Sequence, residues 1–82
     1  MAKWYVYVLR SLKDRGYYIG YTSNLERRIE FHNAGRQRST RHRRPWRLVY
    51  YEEFSSRSEA IRREKQLKAY KGGEAFKRLI GA

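Results

Sequence analysis

Tyr5 and Tyr7 share one face of an apolar run by the two-residue strand period, and Tyr18 opens the stretch Tyr18-Ile19-Gly20 further along. A phenol is both acid and base, with a reference pKa of about 10 that nearby cations lower. Aromatic cross-strand pairing accounts for the same tyrosines equally well. Leu25, Arg28, Ile29 and His32 recur at helical spacing, so a guanidinium and an imidazole flank one apolar stripe. Arginine can bridge phosphate oxygens bidentately, and histidine can move protons near neutral pH. Equally, an arginine stem can lie along apolar surface, and a histidine on a helix can simply be a satisfied polar residue. The sharpest exception to pattern is Glu64. It falls with Ala60, Ile61, Leu67 and Lys68 on the stripe that should face a core. A carboxylate there needs a partner, either a cation such as Arg28 or Lys68, or a divalent metal ion.

The elements that must position these residues are legible from local signals. Trp4 to Arg10 and Tyr17 to Thr22 are rich in aromatic and β-branched residues and flank turn residues, which predicts an antiparallel hairpin. Ser23 and Glu26 have capping-box spacing, predicting a helix from there to about Ala34 that stops at Gly35. Arg36 to Arg44 holds five arginines and no apolar residue, and is expected to be a solvated loop. Pro45 precedes a third strand, Trp46 to Phe54. Ser56 and Glu59 then repeat the capping box before a helix from about Arg57 to Tyr70, ended by Gly72-Gly73. A last helical turn or two, Glu74 to Ile80, would pack Ala75, Phe76, Leu79 and Ile80 against the sheet. The expectation is an α+β fold, a small three-stranded antiparallel sheet flanked by helices in the order ββαβα with a short C-terminal helix.

Composition narrows the function classes. Residues 1–82 allow one domain, because so short a chain buries only about 60% of its unfolded surface and cannot support a second core. No cysteine is present, which removes disulfides, thiolate metal sites and cysteine nucleophiles and points to a reducing, cytoplasmic setting. The longest apolar run, Trp4 to Leu9, is six residues, too short for a signal-peptide core or a membrane span, so no membrane association is expected. Lys and Arg outnumber Asp and Glu by 20 to 8, a net charge of +12 that attracts polyanions, nucleic acid first. Eight tyrosines argue against a disordered basic tail.

Taken together, Tyr5-Val6-Tyr7, Tyr18-Ile19-Gly20, Arg28, His32 and Glu64 resemble the GIY-YIG nuclease superfamily, most closely its small stand-alone bacterial members. The resemblance runs from Trp4 to about Lys68 and includes His42-Arg43-Arg44-Pro45-Trp46 and Arg63-Glu64-Lys65. It implies that Tyr7 and Tyr18 are the paired catalytic tyrosines, Arg28 the catalytic arginine, His32 the titratable residue one turn on, and Glu64 the ligand of a single Mg²⁺ or Mn²⁺ ion. The match departs at two points. Tyr5 stands where the superfamily name has Gly, and no Asn follows Asn33, whereas several relatives use a C-terminal Asn near the site.

The implied function is metal-dependent endonucleolytic hydrolysis of DNA, with RNA a further candidate substrate and DNA repair a candidate setting. Tyr7 would take the proton of the attacking water, unless His32 does so or hydrogen-bonds Tyr7. Tyr18 and Arg28 would hold the scissile phosphate, and a metal on Glu64 would steady the leaving 3′ oxygen. Arg36, Arg38, Ser39, Thr40, Arg41, Arg43 and Arg44 of the loop, with Lys68, are the expected nucleic-acid contacts. With no room for a separate recognition domain, backbone and shape should be read more than bases. The alternative is a catalytically silent module binding DNA or structured RNA, in which the loop tracks phosphates and exposed tyrosines stack bases. Glu64 separates the two, since an acidic group gives a pure phosphate-binding surface no advantage.

Overall fold

The computed structural model describes residues 3–69 and 71–81. Its elements are β1 (Trp4–Ser11), β2 (Tyr17–Thr22), α1 (Leu25–Asn33), a 3₁₀ turn (Arg41–Arg43), β3 (Trp46–Phe54), α2 (Arg57–Ala69) and α3 (Glu74–Ile80). The order ββαβα with a short last helix is the one the sequence predicts. All strand pairs are antiparallel in the order β2-β1-β3, so β1, the most apolar strand, is central.

The two-residue alternation of β1 sends its side chains into two separate clusters. Val6 and Val8 join Ile19, Ala60, Leu67 and Phe76 beneath α2 and α3. Tyr7 and Leu9 join Trp46, with Tyr18, Leu25, Ile29 and Leu48 packed around them beneath α1. A register shift between Val8 and Leu9 in the β1–β3 pairing turns both Val49 and Tyr50 toward the α2 side. α3 closes the first cluster with Phe76, whose ring meets Tyr17 edge-on at 5.1 Å, while Leu79 and Ile80 are half-buried and Ala75 is exposed.

Two local expectations change. The N-cap of α1 is Asn24, not Ser23: its side chain accepts from the Arg27 amide at 3.0 Å. Thr22 fixes that register, its hydroxyl accepting from the Asn24 amide at 3.2 Å. At α2 the Ser56 hydroxyl accepts from the Glu59 amide, as the capping pattern predicts, while the Glu59 carboxylate accepts from that hydroxyl; the expected last residue, Tyr70, lies outside the described residues. The second change is that the loop between α1 and β3 is not a uniformly solvated segment. Thr40 is 1% exposed, Trp46 Nε1 donates to its carbonyl at 3.0 Å, and Ser11 Oγ donates to the Arg43 carbonyl at 2.6 Å. Polar groups with specific partners anchor the loop where apolar side chains are lacking.

Candidate active site

Tyr7 is central on β1 and directly opposite Gly20 of β2. A Cβ at position 20 would stand 2.5 Å from the Tyr7 hydroxyl oxygen and 2.8 Å from its Cζ, so only glycine lets the ring cross that strand. Tyr7 lines a cleft of about 410 Å³ together with Tyr18, Gly20, Arg28, Arg57 and Glu64. β1, β2, α1 and α2 therefore converge on one depression at the β2 edge of the sheet. Tyr7 and Tyr18 lie with ring centroids 6.3 Å apart. Arg28 lies over the Phe31 ring at 4.9 Å, which steadies the guanidinium without consuming its donors. Glu64 is largely covered, and its carboxylate meets Lys68 Nζ at 3.5 Å. That contact is the structural partner the sequence leaves open for this carboxylate.

His32 does not line the cleft. It is fully buried behind Tyr7, with Nε2 3.1 Å from the Tyr7 hydroxyl and Nδ1 3.0 Å from Thr40 Oγ1. The Thr40 hydroxyl donates to the Gln37 carbonyl at 3.4 Å, so toward His32 it accepts. Nδ1 then carries the ring proton and Nε2 accepts from Tyr7. With the Thr40 hydroxyl donating to the Gln37 carbonyl, the chain runs Tyr7 to His32 to Thr40 to Gln37. Burial, and then the Arg28 charge, push the His32 pKa down to about 4, so the imidazole is neutral at pH 7. Burial also raises the Tyr7 phenol well above its usual value; Tyr18 and Glu64 add to this, and Arg28 opposes it. The lowering that nearby cations give a phenol is outweighed at Tyr7. Desolvation acts at the atom itself, whereas most of the cations lie on the solvated surface, where water screens them.

The remaining residues expected from sequence to contact nucleic acid separate into two groups. Arg36, Arg38, Ser39, Arg41 and Arg44 are exposed, and Lys68 is more than half exposed. Arg43 is engaged instead in the fold: it pairs with Asp14 at 2.6 Å and lies 4.7 Å over the Trp46 ring, holding Asp14 far below its usual pKa. Thr40, expected from sequence to touch nucleic acid, is buried and serves His32. Residues absent from the sequence reading are Gln37, which donates to the Tyr18 hydroxyl at 3.2 Å, and Arg57, which donates to Tyr21 and lies 5.8 Å from the Trp4 and Tyr21 rings. No local signal marks Gln37. Among the described residues no group of three or more His, Cys, Asp or Glu side chains gathers to hold a metal.

Comparison with known proteins bears on the family and the fold. Residues 3–75 match the GIY-YIG catalytic domain family. The chain is 49% identical over 80 residues to a UPF0213 protein of Staphylococcus haemolyticus, covering 96% of each chain. It is 45% identical over 67 residues to a UPF0213 protein of Haloquadratum walsbyi, covering 80% of this chain and 74% of that one. Among solved structures, the solution NMR structure of the UPF0213 protein from Bacillus halodurans is similar with a TM-score of 0.50 and 43% identity, over 82% of this chain and 71% of the other.

Proposed function

Starting from a chain that belongs to the GIY-YIG catalytic domain family, we propose that it is a divalent-metal-dependent endonuclease acting on DNA, directed by backbone and shape rather than base sequence. The observation that carries the reading is the convergence of Tyr7, Tyr18, Arg28 and Glu64 on one solvent-open cleft of a strongly basic protein. Glu64 is the residue that would hold the ion, Mg²⁺ or Mn²⁺. A single carboxylate fits those ions, which keep several waters and use substrate phosphate as a ligand, and would not fit zinc. When bound, the ion supplies positive charge to the oxygen that leaves.

The protein's own groups account for the other requirements. Arg28 offers a planar fork of donors to the scissile phosphate, and Tyr18, held by Gln37, offers a hydroxyl to the same group. Tyr7 is the group that meets the attacking water. As a water O–H breaks, its proton passes to the Tyr7 oxygen while the Tyr7 proton passes to His32 Nε2, 3.1 Å away. Neither group acts as base alone, which reconciles the two candidates the sequence offers. A phosphate beside Arg28 also offsets that guanidinium's repulsion of an imidazolium, so substrate binding makes His32 a better acceptor.

The silent-binding alternative is favoured by one observation, the Glu64–Lys68 contact, which gives the carboxylate a purely structural partner. That pair has one member more than half exposed, and such pairs contribute little, so Lys68 can swing toward solvent or phosphate. The test is incubation of the protein with single-stranded, duplex and branched DNA and with structured RNA, in Mg²⁺, in Mn²⁺ and in chelator. Cleavage of a DNA substrate only with metal supports the proposal. Binding without cleavage of any of them refutes it in favour of the silent module.

A further inference from the structure

At the turn end of the hairpin, away from the β2 edge, lies a second cleft of about 400 Å³ that the proposed chemistry does not use. Its walls carry Arg10 from β1, Arg15 from the β1–β2 turn and Arg47 from β3, around a floor that includes Val49 and Ile80. Leu12 stands at its edge, 56% exposed. Among the described residues no ion pair involves any of these three arginines.

Two features here work against stability and both deliver an arginine to the same place. Arg10 and Arg47 are direct cross-strand partners, an arrangement in which like charges repel at the closest spacing a sheet provides. Arg10 is held in that position, its guanidinium 5.5 Å from the Tyr17 ring. Arg15 has φ of +66°, the left-handed conformation that glycine or asparagine adopts readily and a long side chain does not. The turn accounts for a left-handed residue, since the Ser11 amide donates to the Gly16 carbonyl and the Arg15 amide to the Ser11 carbonyl, but it does not call for an arginine there. Bound negative charge turns the repulsion among the three guanidinium groups into attraction, and local rules are broken most often where a function requires it.

We infer that Arg10, Arg15 and Arg47 form a second phosphate-binding cleft, which grips the backbone of the nucleic acid outside the catalytic cleft. The inference rests on nucleic acid being the substrate. Both clefts draw on β1, which carries Tyr7 to the catalytic cleft and Arg10 to this one. Three residues of strand at about 3.3 Å each put these two positions roughly 10 Å apart, within reach of one nucleic acid. Contact there lengthens the footprint and does not touch the reacting phosphate.

The test is the variant Arg10→Gln/Arg15→Asn/Arg47→Gln, compared with wild type for melting temperature and for duplex DNA binding across salt concentrations. Chelator is present, so that no cleavage occurs. The variant is expected to melt higher by a few degrees, since like-charge repulsion and a strained φ are relieved. Its affinity at low salt should fall about 10-fold or more, and the slope of log K against log salt should shrink by about 0.9 for each phosphate the variant no longer neutralises. An unchanged slope and affinity would overturn the inference, and so would a variant that melts below wild type. Inorganic phosphate on the wild type separates a free-anion site from a backbone site: saturable stabilisation that duplex DNA does not displace overturns the nucleic-acid assignment. A protein that binds with the expected slope change yet never cleaves leaves this cleft standing and removes the nuclease reading instead.

Discussion

Lowering the pH from 7 to 5 should weaken the fold through His32 alone, by an amount the structure sets. The imidazole is fully buried, and its pKa is about 4 against an ordinary value of 6.5. Above pH 6.5 the ring is neutral in both folded and unfolded chains and stability does not depend on it. Between 6.5 and 4 the unfolded chain takes up a proton that the folded chain refuses, so stability falls as pH falls. The loss reaches about 2 kcal/mol at pH 5 and about 3 kcal/mol once pH falls below 4, with a slope of ~1.4 kcal/mol per pH unit in between. In a small domain the loss at pH 5 is already a large share of the total, and it lowers Tm by on the order of 10 °C. Carboxylates with depressed pKa, Glu52 and Asp14, keep their stabilising contribution above their unfolded values of 4.5 and 3.8 and lose it only as pH falls below them, so the range from 6.5 to 5 belongs to His32. The assay is thermal melting by circular dichroism at fixed ionic strength from pH 8 to 4.5, for wild type and His32→Asn. Wild type should lose stability steadily below pH 6.5, whereas His32→Asn, less stable at pH 7, should be nearly flat to pH 5. A flat wild-type curve, or the same slope in both proteins, would refute the buried neutral imidazole and with it the proton path through Tyr7.

Other outcomes follow from the same geometry. Tyr7→Phe keeps the ring in its cluster and removes the hydroxyl; it should stay folded and lose on the order of 10²-fold or more in cleavage rate, read by single-turnover kinetics beside a melting curve. Gly20→Ala forces the Tyr7 hydroxyl off His32 and should cost about 1–3 kcal/mol of stability as well as activity, measured by urea unfolding and the same cleavage assay. Replacing Arg36, Arg38, Arg41 and Arg44 with Ala should reduce DNA affinity and its salt dependence with Tm nearly unchanged, while Arg43→Ala should lower Tm, because its contacts are to Asp14 and Trp46.

How far the sequence can be read depends on whether a decision is local. Strand boundaries follow from runs of aromatic and branched residues; α2 begins where the Ser56 cap places it, and α3 just after Gly72-Gly73. Sequence puts the cap of α1 one residue early because Ser23 and Asn24 are both good caps, and the choice is made by Thr22, whose hydroxyl grips the Asn24 backbone. The arginine loop escapes sequence reasoning for a different reason. Its order comes from contacts 29 and 32 residues distant, Arg43 with Asp14 and Ser11 with the Arg43 carbonyl, and from Thr40 meeting a histidine nitrogen, none of which leaves a periodic trace. In the site, spacing locates the residues that converge, but the order of the hydrogen-bonded chain needs burial. His32 and Tyr7 look alike as candidate bases in sequence. Only the packing shows that one meets the cleft and the other stands behind it.

Whether Glu64 makes this basic fold a nuclease rather than a binding surface is decided by measuring cleavage and binding on the same DNA for wild type and Glu64→Ala. Wild type should cleave only with divalent metal. Glu64→Ala should lose cleavage while binding the DNA, measured in chelator, as tightly as wild type or more so, because a carboxylate has gone from beside the phosphate. Equal turnover by the two proteins, or no turnover by wild type on any substrate, would contradict the role assigned to Glu64.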